Sequence, residues 1–431
     1  MDEVHDIRLQ EFKQVKAAIR GSAQYLIVGI DVAKEKHNAF FGTATGRTLH
    51  KGFVFDNTLD GFEKLLTQTK ALRVQHSLRK VVFGLEPTAN YHKPLGEHLI
   101  RCGYMVVLVA AAAVKNNRSL LDGRWDKHDT KDSANVADLI SQGKCLYYEY
   151  PDSIVQDLRS LLSLKRRLKK EEHGLRVRIR NQLLAQYFPE MDRYFGTAVS
   201  LVVVGRCLDP SEIAGLDFEE FLRIVTDRKL SLPQQRQLKA IWRMAPDSVG
   251  CHVGDAVPFE AQVMVSGLRD VRETIRKVEE KIEELCVQFP EYPYLLSIPG
   301  FGPDVSSKVI AAISYPFRFT SGKQLLKMAG LDLCANRSGN TSHSATPVIS
   351  KQGKADLRYA LYQAALVASS SNRAFMAYYT NKLSGRQKEN GIGTKMRVKL
   401  AAKLLIIAWT LMKKKESFDP TYLNLKDDSQ V

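Results

Sequence analysis

Two short apolar runs constrain the fold of this chain more than anything else in it. Tyr25-Leu26-Ile27-Val28-Gly29-Ile30 and Lys80-Val81-Val82-Phe83-Gly84-Leu85 have the length and apolar content of buried strands, and each is followed at once by an acid, Asp31 and Glu86. Residues 37–42 and 48–55, around the turn Thr45-Gly46-Arg47, read as hairpin partners of the first run. Asn57-Thr58 is a helix-cap signal, and Phe62, Leu65 and Leu66 form the buried stripe after it. A helix over 91–102 then separates the second run from a third, 104–109. Three antiparallel strands followed by alternating helices and strands is the element order of a ribonuclease-H-like α/β fold, expected to span 25–150.

Asp129 and Asp132 lie three apart in His128-Asp129-Thr130-Lys131-Asp132-Ser133-Ala134, so they share one helix face. Asp122 and Asp126 are close enough to compete, but the apolar continuation Val136, Leu139 and Ile140 favours the first pair. Four close carboxylates repel one another unless cations neutralise them. Acids converging from two strand ends and one helix face can hold two divalent ions ~4 Å apart, the arrangement that cuts phosphodiesters in line. Oxygen donors without a His/Cys set point to Mg²⁺, with Mn²⁺ as a substitute, and away from zinc.

The chain holds 63 basic against 47 acidic residues, a formal net charge of +16, which implies a polyanionic partner: nucleic acid first, an anionic membrane second. The longest apolar runs, 106–114 and 404–412, are too short to span a bilayer. The acidic start Met1-Asp2-Glu3-Val4-His5-Asp6 has no signal-peptide core. Six scattered cysteines without a CxxC pair fit reduced thiols in the cytoplasm.

At 431 residues, two or three domains are expected. A helical, coiled-coil region is expected over 151–290. Its first helix presents Lys165, Arg166, Arg167, Lys169 and Lys170 as candidate phosphate contacts, set against the plain reading of a solvated face. Leu268, Val271, Ile275, Val278, Ile282 and Leu285 alternate by three and four, a seam that either returns onto the first helix or pairs with another subunit. Residues 188–265 carry no recognisable chemistry. A mainly helical segment over 291–415 opens with Ile298-Pro299-Gly300-Phe301-Gly302-Pro303, which reads as a helix-hairpin-helix whose Gly300 and Gly302 would offer backbone N–H groups to a phosphate. Beyond it lies a polar loop, 334–350.

These motifs together resemble the DEDD insertion-sequence transposases, whose relatives include the Piv-type DNA invertases. The resemblance rests on Val28-Gly29-Ile30-Asp31-Val32-Ala33-Lys34, Leu85-Glu86-Pro87-Thr88-Ala89-Asn90-Tyr91, Asp129-Thr130-Lys131-Asp132-Ser133-Ala134, Ile298-Pro299-Gly300-Phe301-Gly302, Arg337-Ser338-Gly339 and Ile349-Ser350-Lys351-Gln352-Gly353, in that order. It implies a RuvC-like nuclease domain, a coiled-coil middle and a C-terminal transposase domain. It also implies a nucleophilic serine, Ser338 by position in its motif, and a structured bridge RNA that pairs with donor and target DNA. Double-stranded DNA, a guide RNA and further copies of the chain, as dimer or tetramer with shared active sites, are the implied partners.

A serine in a polar loop is more often a turn residue than a nucleophile, and Thr341, Ser342 and Ser344 compete with Ser338. Arg337 and Lys351 are candidate phosphate clamps. Against the recombinase stand a RuvC-like junction nuclease or invertase without an RNA guide, in which water replaces serine, and a non-catalytic nucleic-acid-binding scaffold.

Overall fold

The first two apolar runs pair side by side at the centre of a six-stranded sheet. The structure, a computed structural model, describes residues 2–122, 129–226, 229–334 and 348–424. β1 (Tyr25–Asp31), β2 (Lys36–Thr43), β3 (Thr48–Asp56), β4 (Lys80–Leu85), β5 (Met105–Leu108) and β6 (Leu146–Tyr147) run in the order β3-β2-β1-β4-β5-β6. β1 is antiparallel to β2 and parallel to β4, and β4 is parallel to β5. This is the mixed sheet of a ribonuclease-H-like domain. β6, antiparallel to β5 on the edge, was not foreseen.

Strand alternation sends side chains to two separate cores. Leu26, Val28 and Ile30 of β1, with Phe83 and Leu85 of β4, face α2 (Leu59–Gln75) and α3 (His92–Arg101) through Phe62, Leu65, Leu66, Leu95 and Leu99. Tyr25, Ile27 and Val82 face the other way, toward Val136, Leu139 and Ile140 of α5 (Asp129–Ser141) and Phe12, Val15 and Ile19. The last three extend the domain N-terminally: Phe12 and Val15 lie on α1 (Asp2–Ala18), and Ile19 comes just after it. Thr58 caps α2, its Oγ1 accepting from the Gly61 N–H at 3.2 Å. α4 (Ala111–Asp122) is tied to α5 by a buried amide network: Asn117 Nδ2 donates to Asn135 Oδ1 and to Asp138 Oδ2, both at 2.8 Å.

Residues 1–151 form one compact unit and 152–431 a second. In the second, α6 (Ser153–Arg178) packs along the 31-residue helix Ala256–Cys286. Lys165 bonds Glu279, Glu172 bonds Arg272, and Leu175 lies beside Gly267. As one partner's number rises the other falls, so the helices are antiparallel. Leu268, Val271, Ile275, Val278 and Ile282 are buried in this one chain. The seam is therefore closed by the return onto the first helix, and its apolar face is not left for another subunit.

α6 continues into a π-helical turn, Ile179–Leu184, and then into short helices with their own core, including Phe188, Met191, Leu201, Phe221, Leu238 and Ile241. Residues 188–265 are thus mostly a small helical body set between the two long helices. The middle region is not sealed off from the C-terminal helices. Leu158, Val278 and Ile282 share one core with the helices Pro303–Ile313, Ala355–Ser371 and Ile392–Lys414. A further helix, Arg373–Leu383, was not foreseen. Among the described residues no helix is long and apolar enough to cross a membrane.

Candidate active site and nucleic-acid surfaces

Ile30 and Leu85 are register partners in the parallel pair β1/β4, so Asp31 and Glu86 extend from neighbouring strands at the same end of the sheet. Gly29 stands two residues before Asp31 and Gly84 two before Glu86, and the two glycines are themselves register partners. Residues two apart along a strand share a face. The face they share here is the one covered by α5. A Cβ on Gly29 would overlap the Ser133 carbonyl oxygen and lie 2.5 Å from the Ala137 backbone nitrogen, and one on Gly84 would overlap Ile140 Cδ1. The missing side chains form a trough that lets α5 lie directly on the sheet.

That close approach carries the acids of α5 toward the strand ends. Ser133 Oγ donates to Asn38 Oδ1 at 3.2 Å, and Asn38 is the antiparallel partner of Asp31. Asp132, next to Ser133, is buried and accepts from Arg118 of α4, Nε at 2.9 Å and Nη2 at 2.8 Å. Asp129 begins the helix, and its side chain lies outside the described residues, as do those of Asp122 and Asp126. Asp31 and Glu86 are half-buried, and both make polar interactions. Among the described residues no three His, Cys, Asp or Glu side chains are gathered closely enough to hold one ion. The donor set is nonetheless all carboxylate oxygen, which suits a hard divalent cation, and Arg118 supplies the countercharge at Asp132.

The loop after Asp31 is pinned from behind. Ala33 N–H donates to His37 Nδ1 at 3.2 Å, Asn57 Nδ2 to the Lys34 carbonyl at 3.1 Å, and Asn57 N–H to the Glu35 carbonyl at 2.8 Å. Burial holds the His37 imidazole below its ordinary pKa, against a weaker upward pull from Asn57, so the ring acts as a neutral acceptor. Ala89, three residues after Glu86, takes a left-handed φ of 46°, uncommon without a glycine. Sequence reading missed Gly29, Gly84, Arg118 and His37. Only the glycines left a signal, the matched spacings Gly29-Ile30-Asp31 and Gly84-Leu85-Glu86.

The expected phosphate contacts divide. Lys165 is largely buried between Glu279 and Asp304, at 2.9 and 2.8 Å, and is a structural ion-pair partner here. Arg166 pairs with Asp356 at 3.0 Å and Lys169 with Glu172 at 3.3 Å, both on the surface. Arg167 and Lys170 are exposed and have no ion-pair partner among the described residues. Gly300 has φ +88°, and a Cβ there would overlap the Ala364 carbonyl oxygen, so it serves packing. Gly302 caps the helix Pro303–Ile313 and is open, but Asp304 in the first turn already supplies that helix end with an anion. Lys351 is exposed, with φ +57° and its N–H on the Gly330 carbonyl at 3.1 Å. Ser338 and Arg337, with Thr341, Ser342 and Ser344, lie outside the described residues. They fall between β7 (Leu333–Cys334) and β8 (Val348–Ile349), which pair antiparallel.

Comparison with known proteins finds matches to two regions of the chain. Residues 28–189 match a transposase model of the DEDD IS110 type, and residues 292–380 match the model "Transposase IS116/IS110/IS902 family". Together these cover more than half of the chain. The "Insertion element IS110 uncharacterized 43.6 kDa protein" of Streptomyces coelicolor is 22% identical over 396 residues, covering 90% of this chain and 94% of the relative. With the first model spanning most of the six-stranded sheet and the second the C-terminal segment, the chain belongs to the IS110 family of insertion-sequence transposases.

Proposed function

We propose that this transposase cuts and rejoins double-stranded DNA with Asp31, Glu86, Asp129 and Asp132 as a metal-binding centre and Ser338 as the attacking group, guided by a structured RNA of its own element. Family membership brings DNA cleavage and transfer in general. The observation that supports the finer reading is the matched pair of Gly-x-acid strand ends beneath α5, which sets Asp31 and Glu86 on the face that carries Asp132.

A divalent metal at these carboxylates would supply charge stabilisation for the entering and leaving oxygens. The chain's own residues do the rest. The Gly29/Gly84 trough fixes the height of α5, Arg118 balances Asp132, and His37 and Asn57 hold the loop behind Asp31. When Ser338 Oγ bonds to the phosphorus and gives up its proton to solvent, the DNA P–O ester bond breaks, and its oxygen leaves with the cut strand and takes up a proton as a free hydroxyl. The phosphoester energy stays in a protein–DNA link, so the strands rejoin without ATP. Positive charge of +16 suits a phosphodiester substrate.

The test is a denaturing gel of the element's DNA after incubation with protein, Mg²⁺ and the RNA that copurifies. A covalent adduct is expected with the natural chain and none with Ser338→Ala, while Asp31→Asn or Glu86→Gln should leave DNA bound and uncut. Free nicks without an adduct would instead identify a water-using nuclease. Unchanged cleavage by Asp31→Asn would remove the carboxylate centre.

A further inference from the structure

A second concentration of positive charge involves none of the residues assigned so far. Residues 373–415 hold eleven Lys or Arg and one acid, Glu389, a surplus of ten against +16 for the whole molecule. Much of this segment is a helical hairpin, Arg373–Leu383 and the N-terminal half of Ile392–Lys414. Tyr379 closes it, its hydroxyl donating to the Gly393 carbonyl at 3.3 Å while the Arg397 guanidinium lies 5.3 Å from its ring centre. Glu389 is taken by Arg386 at 2.7 Å. Lys382, Lys388, Lys395 and Lys399 are exposed around the connection, the last two one helical turn apart.

We infer that this hairpin is a binding surface for the phosphate backbone of duplex DNA. Solvated charge runs usually alternate in sign, whereas the hairpin from Arg373 to Lys403 carries a single acid among eight bases, seven of them outside the buried core. Among the described residues of the hairpin no aromatic ring offers an open stacking platform. Tyr379 already carries Arg397, Tyr378 carries Lys382 at 5.5 Å from its ring centre, and both rings are half-buried. Single-strand sites rely on free aromatic faces, while duplex backbones are held by charge alone. The inference rests on the chain acting on DNA but not on any step of its chemistry.

The test measures affinity of the full chain for a short DNA duplex of arbitrary sequence across a range of salt. Converting Lys382, Lys388, Lys395 and Lys399 together to Gln should weaken binding roughly tenfold or more near physiological salt and flatten the slope of log affinity against log salt by about two to four. Arginine at the same four positions should keep the slope. A control with Gln at the exposed Lys51, Lys70, Arg79 and Lys281 should change it by less than one. An unchanged slope in the first variant, or an equal fall in the control, overturns the inference. Loss confined to duplex RNA or to single strands overturns the choice of partner. Asp31→Asn protein should retain the full slope while losing cleavage, which separates failure of this surface from failure of the carboxylate centre.

Discussion

At the scale of single residues, the seating of α5 on the sheet depends on two side chains that are absent. Gly29→Ala drives a methyl into the backbone of α5, which cannot yield without moving the helix, whereas Gly84→Ala meets the flexible end of Ile140. The first should cost about 3 kcal/mol and the second about 1 kcal/mol in denaturant unfolding, and only the first should abolish cleavage. Equal costs would mean that α5 adjusts freely. Asp304 gives a pH prediction. Burial opposes its ionisation, but hydrogen bonds from Lys165 and Lys308 outweigh it and hold the carboxyl below the usual range. Its contribution is thus present at neutral pH and is lost as pH falls through the lowered value. Asp304→Asn should remove about 1 kcal/mol at pH 7, the pair being partly screened by solvent, and less in acid. The positions of Asp31 and Glu86 at strand ends and of Asp132 on a helix were legible in the sequence, because an acid directly after a strand, or facing along a helix, is a local pattern. Arg118 was not, because its pairing with Asp132 depends on how α4 packs on α5.

At the scale of elements, periodicity was the reliable guide. The three-and-four spacing of Leu268 to Ile282 marked a buried helix face, yet could not say which helix would cover it. That needed the ion pairs to α6, which no spacing rule reveals. Ile275→Ala should therefore cost about 2–4 kcal/mol in unfolding and leave the sedimentation coefficient of the native protein unchanged. A shift in assembly state would show that the seam also contacts another subunit. The helix Arg373–Leu383 escaped notice because its alternation of Tyr, Lys and small residues leaves only Phe375 fully buried, too little for a clear stripe.

At the scale of the whole molecule, all six strands of the sheet and both cores that sandwich it lie within residues 1–151. This segment expressed alone should unfold in one cooperative thermal transition. A broad, non-cooperative melt would show that its cores are incomplete. The antiparallel pair of long helices in the second unit has a different consequence. Because the chain departs along α6 and comes back along Ala256–Cys286, whatever joins them enters and exits at one place. Lengthening or shortening the intervening body leaves the spacing of the stem untouched. Relatives of different size can therefore differ there without disturbing either end, and a foreign domain with adjacent termini could be grafted in its stead.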